Sequence, residues 1–273
     1  MGKPQRLTPS LREKVWGRTS LAPWFPDAEQ PIGEAWYLAD RELLLLVKLI
    51  FTSERLSVQV HPDDGEGVPR GKTEMWHILD AEPGATIALG FREPITRERL
   101  VESTRTGEIE QLLNWLPVKR GETYFTPAHT VHAIGGGIVL CEIQQWSDVT
   151  YRLWDYGRPR EIHVAQAAAI SDLGVHPGAA HPVTIGEGRE LLVRSKHFVT
   201  EAVRLRAGAE HEPSPEPCQL WICLEGEGTI GGKAVRRGEV WLMPEAGEPA
   251  VVRAGTQMRF LRTYVPRTGA PGA

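Results

Sequence analysis

Ser57-Val58-Gln59-Val60-His61-Pro62-Asp63-Asp64 alternates polar and apolar side chains up to a proline, the pattern of a short β-strand with unlike faces. The alternation turns Gln59 and His61 to one side and Val58 and Val60 to the other. A neutral imidazole and an amide oxygen side by side on a rigid strand are two candidate ligands for one metal ion. Lys72-Thr73-Glu74 repeats the device, with Lys72 and Glu74 sharing a face. The run from Gly121 to His132 (Gly-Glu-Thr-Tyr-Phe-Thr-Pro-Ala-His-Thr-Val-His) adds a further imidazole. Gln59, His61, Glu74 and His132 together make an N2O2 donor set from three strands. A Gln-x-His pair alone is more often polar surface than ligand; the convergence of three such runs favours metal. His129 is the competitor of His132, and His77 reads as packing or outward-facing.

Outward from these runs the chain is mostly short apolar segments punctuated by Gly and Pro. Strands are predicted at 43–51, 56–60, 74–81, 85–90, 123–126, 131–134 and 138–143, a mainly β pattern of barrel or sandwich type. A helical insert, about 94–116, interrupts them: Thr96 to Ser103 follows Pro94, and Glu108 to Trp115 carries Ile109, Leu112 and Leu113 at helical spacing. Residues 156–185, rich in Ala, Gly, Pro and His, read as a helix-containing connector. There His163, His176 and His181 read as surface or packing residues. A second β-rich unit, 186–273, follows, with strands at 190–205, 218–224, 228–230, 239–243 and 250–253. It echoes the first: Gly121-x5-Pro127 recurs as Gly238-x5-Pro244, each after a Trp-bearing apolar strand. The step after Pro244 is Pro249 with no His beyond it, so only the first unit, 1–155, is expected to hold a metal.

The 273 residues suffice for one large domain or two small ones. Charged residues are 24% and hydrophobic residues 41%, an ordinary soluble composition, and the net charge of −4 argues against nucleic acid as a partner. It leaves room for a small anionic substrate in a locally positive pocket. No apolar run is long enough to span a bilayer, and the first residues lack the apolar core of a secretory signal. Three cysteines, Cys141, Cys218 and Cys223, form neither a disulfide framework nor a CxxC pattern. Together these favour a cytoplasmic setting.

With these residues in view, the chain resembles the cupin superfamily, and within it the type I mannose-6-phosphate isomerases of short bacterial form. The matching runs are Lys14-Val15-Trp16-Gly17, Ile32-Gly33-Glu34-Ala35-Trp36, Leu56 to Asp64, Gly71-Lys72-Thr73-Glu74-Met75-Trp76, and Glu142 to Arg152. They cover residues 10 to 160 strongly and the remainder weakly. The cupin motif departs from its usual form, with His129 for a Gly and Gly136 for an Asn. Trp16-Gly17-Arg18 replaces a Trp-Gly-Gly. The resemblance implies two cupin-like β-barrels (jelly rolls) with a few helices, and one divalent ion, zinc first, on Gln59, His61, Glu74 and His132. Mn, Co, Ni or Fe would also suit such a sulfur-free set. It places the catalytic Arg on Arg152, the pocket Lys on Lys72 and an acidic pocket residue on Asp148, with Glu142 and Ser57 joining them around a phosphorylated sugar. For the proton-transfer base, Glu142, Asp148 and Lys72 all stand. The implied reaction is interconversion of mannose 6-phosphate and fructose 6-phosphate through an enediol. A non-catalytic sugar-phosphate sensor, or a cupin enzyme of different chemistry, is the alternative.

Overall fold

The structure is a computed structural model that describes residues 2–245 and 250–267. Pro249 therefore lies outside the described residues. The chain runs through β1 (Gln5–Arg6), β2 (Thr8–Arg18), β3 (Ile32–Leu38), β4 (Leu45–Phe51), β5 (Val58–Val60), β6 (Glu74–Ala81) and β7 (Thr86–Phe91). Helices α1 (Arg97–Thr106) and α2 (Ile109–Leu112) follow, then β8 (Leu113–Pro117), β9 (Thr123–Thr126), β10 (His132–Ile134), β11 (Ile138–Gln145), β12 (Tyr151–Trp154) and α3 (Val164–Ile170). The rest is β: β13 (Val183–Gly186), β14 (Arg189–Arg194), β15 (Val199–Leu205), β16 (Glu210–His211), β17 (Leu220–Glu225), β18 (Glu227–Ile230), β19 (Lys233–Arg236), β20 (Val240–Leu242), β21 (Val252–Ala254) and β22 (Met258–Tyr264).

These strands form four antiparallel sheets, ordered β12-β5-β10-β7-β8, β2-β3-β4-β11-β6-β9, β1-β20-β17-β22-β15-β14-β13 and β16-β21-β18-β19. The fold is thus mainly β and cupin-like, built as two pairs of facing sheets. Side-chain alternation stacks them in layers. The helices cover the outer face of the five-stranded sheet, Leu100, Ile109 and Ala167 packing on Val58, Val60 and Ala133. Its inner face meets the six-stranded sheet across Trp76, Ile78, Ile87 and Leu140. The outer face of the six-stranded sheet, with Val47, Leu49, Phe51 and Cys141, packs on Leu220, Ile222 and Leu261 of the seven-stranded sheet. That sheet closes over Trp221, Val252 and Phe260 against the four-stranded one. β4 is buried on both faces for this reason, which is why it reads as an unbroken apolar run.

Several expectations are corrected. Residues 108–115 do not form one helix: only Ile109–Leu112 is helical, because from Leu113 the chain pairs with the open edge of β7. A free strand edge outweighs a two-turn helical periodicity. Residues 190–205 are two strands, β14 and β15. Ser195 turns the chain between them, its Oγ accepting from the amides of His197 and Phe198. Strands β1, β2, β3, β12, β13, β16, β19 and β22 had no counterpart in the reading of the sequence. Helix α1 matches its signals, with Thr96 Oγ1 accepting from Arg99 N at 3.2 Å and left-handed Gly107 at its end. The internal echo is structural: Gly121 and Gly238 both take positive φ, each leading into a strand paired with the Trp-bearing strand, Trp76 opposite Tyr124 and Trp221 opposite Trp241.

Candidate active site

Register brings the site together. In the five-stranded sheet Gln59 lies opposite His132 on one side and Arg152 on the other, a row of three candidate side chains from β5, β10 and β12. In the facing sheet a second row runs Trp36, Lys48, Glu142, Trp76, with Glu74 beside Gln144 one step along. Because alternate residues of β4, β6 and β11 face the outer core, Lys48, Glu142, Glu74 and Trp76 must face inward, toward Gln59 and His132.

His61, Glu74 and His132 are buried, and one nitrogen or oxygen of each lies within 4.8 Å of the others. His61 Nδ1 donates to Val149 O and His132 Nδ1 to Thr130 O, both at 2.8 Å. Each ring thus directs the lone pair of Nε2 into the site. Burial, with the charge of Lys72 adding to it, holds His61 well below its ordinary pKa; burial brings His132 down to about 4. Both imidazoles are therefore neutral at pH 7. Glu74 is pushed up to about 7 by burial and by the neighbouring charge of Glu142. Its two oxygens are buried and make no hydrogen bond of acceptable geometry, although Lys72 Nζ sits 2.7 Å from Oε2 and 2.9 Å from His61 Nε2. Gln59 Nε2 lies 3.2 Å from His132 Nε2, and Ser57 Oγ donates to Gln59 Oε1 at 3.1 Å. A half-turn of the amide brings its oxygen to the same point. Two neutral imidazoles, one carboxylate without hydrogen-bond partners and one amide fit a divalent cation.

A cavity of about 380 Å³ opens beside this cluster. Gln59, Ser57, Lys72, Glu142, Asp148 and Arg152 all line it, so the residues expected around a substrate converge there. Glu142 is fully engaged, accepting from Lys48 Nζ at 3.0 Å and from Trp76 Nε1 at 3.2 Å. Burial alone would raise its pKa, but the charges of Lys48 and Lys72 hold it at about 2. His129 stands apart, its Nε2 paired with Glu66 at 2.8 Å. His77 is buried on the outer face of β6, hydrogen-bonded to Thr123 Oγ1 at 2.9 Å.

The cavity also holds residues that sequence reasoning did not assign. Lys48 stacks over the Trp36 ring at 4.6 Å and Arg12 at 4.8 Å, while Lys14 pairs with Glu34 at 3.1 Å. Arg160 and His163 form part of the wall, which corrects the reading of His163 as a surface or packing residue. Six cationic side chains (Arg12, Lys14, Lys48, Lys72, Arg152, Arg160) line this space against three carboxylates, Glu34, Glu142 and Asp148. An acidic protein thus carries a basic pocket. The signal for Lys48 was present, a lysine within an otherwise unbroken apolar strand.

No protein-family profile matches the chain. Among curated proteins, the mannose-6-phosphate isomerase of Streptococcus mutans is 30% identical over 89% of this chain and 93% of its own length. That of Bacillus subtilis is 31% identical with the same coverage. The chain belongs to the mannose-6-phosphate isomerase family. The crystal structure of the mannose 6-phosphate isomerase from Bacillus subtilis superposes with a TM-score of 0.85 at 25% identity, covering 97% of this chain and all of that one. A variant of phosphomannose isomerase from Salmonella typhimurium, 18% identical, shares the fold at a TM-score of 0.79. Among the described residues no helix is long and apolar enough to cross a membrane.

Proposed function

We propose that this chain is a metal-dependent aldose–ketose isomerase that interconverts mannose 6-phosphate and fructose 6-phosphate through an enediol. Family membership supports the reaction. The observation that carries the reading is the buried His61–Glu74–His132 cluster opening into a cavity lined by six cations. Moving a carbonyl between C1 and C2 requires a proton to leave one carbon and return to its neighbour, while negative charge builds on oxygen.

Gln59, His61, Glu74 and His132 would hold the ion, zinc by preference for two imidazoles and a carboxylate. When bound, such an ion polarises the sugar carbonyl or holds its hydroxyls in register. Arg152, directly across from Gln59, would stabilise the enediolate oxygen with a charge that does not titrate near pH 7. Lys72 Nζ, held against Glu74 Oε2 at 2.7 Å, is the group we assign to proton delivery, with Asp148 lining the same cavity. Glu142 is a weak base in its grip of Lys48 and Trp76, so we assign it to orienting Lys48 and the sugar hydroxyls. Ser57 would steer the Gln59 amide.

The test is a coupled assay of mannose 6-phosphate conversion on metal-loaded, chelator-treated and Arg152→Ala protein. Turnover is expected to vanish on chelation, return with zinc, and fall by about 100-fold or more in Arg152→Ala. No turnover in folded, metal-loaded protein would sink the reading in favour of a sugar-phosphate sensor.

A further inference from the structure

The turn between β14 and β15 carries three consecutive side chains that leave their own sheet and reach the first β-rich unit. Lys196 Nζ donates to Asp63 Oδ2 at 2.9 Å. His197 stands between two carboxylates, with Nε2 3.5 Å from Asp63 Oδ1 and Nδ1 3.7 Å from Asp64 Oδ2. Its side chain is only 11% exposed, so this contact is enclosed. Phe198 is buried and meets the Phe125 ring of β9 edge-on at 6.3 Å. Ser195 Oγ, accepting from the amides of His197 and Phe198, fixes the shape of the turn.

Asp63 and Asp64 open the loop that joins β5 to β6, and Asp64 passes the contact on. Its Oδ1 accepts from Gly71 N at 2.7 Å and from Gln145 Nε2 at 3.1 Å. Gln145 Oε1 in turn accepts from Thr73 N at 2.9 Å. Gly71 and Thr73 flank Lys72, so both chain neighbours of this lysine are tied back to one carboxylate. On the other side, His61 lies two residues before Asp63. Residues 64–67 are exposed, so the loop has little core of its own to hold it. Asp63, Asp64 and His197 are close enough to share a cation. The Lys196 ammonium already supplies that positive charge, and two N–H groups occupy Asp64 Oδ1. The cluster is therefore a tie between the two units rather than a metal site.

We propose that the Lys196–His197 turn is a positioning device for the active site. Through the Asp63–Asp64 corner, the second unit holds His61 and Lys72 at their working separation. Lys196 and His197 are positioning residues, since neither lines the cavity. The assignment rests on the isomerase reading for the role of Lys72, and it gives the second unit a part in the chemistry of the first. A misplacement of about 1 Å at a reacting group can cost roughly 100-fold in rate.

The experiment measures kcat and KM for mannose 6-phosphate, and the zinc dissociation constant by competition with a chelator. The proteins are wild type, Lys196→Ala, His197→Ala, the double variant, His197→Gln and a control, Val252→Ala. In His197→Ala kcat is expected to fall about 10-fold and in the double variant up to about 100-fold, with KM changed much less. The zinc constant is expected to rise about 10-fold in the double variant. His197→Gln recovers part of both losses, since the amide still donates to a carboxylate. Val252→Ala empties a buried position between the two sheets of the second unit, away from the turn. It lowers the melting temperature but leaves kcat and the zinc constant within about twofold of wild type. Lys196→Ala, at a side chain 63% exposed, carries the test if His197→Ala fails to fold. The proposal is overturned if the folded double variant keeps both kcat and zinc constant within about twofold, or if Val252→Ala loses both in proportion to its stability. Wild-type protein inactive on mannose 6-phosphate would instead defeat the isomerase reading; the zinc constants then decide the positioning role by themselves.

Discussion

Lys48 and His77 show how far single residues can be read. A lysine inside Leu43-Leu44-Leu45-Leu46-Val47-Lys48-Leu49-Ile50-Phe51 violates the strand's pattern, and it proves to be one half of a buried ion pair with Glu142 at 3.0 Å. Its partner was not legible, because the two are 94 residues apart and meet only through the register of β4 with β11. His77 carries a separate consequence. Burial, assisted by the charge of Arg259, brings its folded pKa down to about 4 from the ordinary 6.5. Between those values the unfolded chain binds a proton that the folded protein refuses, so stability falls as pH drops from 6.5 toward 4. His77→Gln is expected to remove about 2–3 kcal/mol of the stability difference between pH 7 and pH 4.5. Urea unfolding of both proteins at the two pH values measures it; identical differences would show that His77 accepts its proton without cost.

At the scale of elements, the placement of His61 and Lys72 depends on a close approach between two loops. Lys72 N donates to Pro62 O at 2.9 Å, and a Cβ on Gly71 would lie 2.5 Å from the Asp63 backbone carbonyl carbon. Gly71 is therefore required by space, and the loop after β5 lies directly on the approach to β6. Gly71→Ala is expected to cost about 1–3 kcal/mol and to weaken metal binding, because the strain acts on the segment that carries His61. Thermal unfolding and metal content of the purified variant are the readouts; an unchanged melting temperature with full metal content would contradict the account. Three of the strands that went unread have a common cause. β2, β3 and β12 mix charged and apolar residues because one strand face lines the polar cavity, which erases the alternation that marks an ordinary half-buried strand. β8 was mistaken for helix because Ile109, Leu112 and Leu113 satisfy a helical spacing that pairing with β7 overrides.

For the whole molecule, the decisive contact is sheet on sheet. Leu220 and Ile222 of the seven-stranded sheet pack on the outer face of the sheet that carries Glu74 and Glu142, and β1 from the start of the chain pairs with β20 near its end. Leu220→Ala, which empties a fully buried position in this layer, is expected to cost about 2–5 kcal/mol. It should lower one shared unfolding transition and leave no separately melting half; calorimetry resolving two transitions would refute this. The two halves also answer each other across the layers. Lys48–Glu142 beside Trp76 is matched in register by Glu201–Arg262 beside Trp221, the same cross-strand places with the charges exchanged. Gln219 and Ser214 complete the second network around Arg262. By itself the sequence determined the β class and the internal echo and singled out Gln59, His61, Glu74 and His132 as a candidate set, because strand alternation and short motifs are local properties of the chain. Only the tertiary structure decided that Lys48 meets Glu142, that Arg160 is braced by Asp155 into the cavity wall, and that His163 belongs to that wall. Those contacts arise from register between distant strands and from the folding of a connector over a sheet edge, which no local pattern encodes.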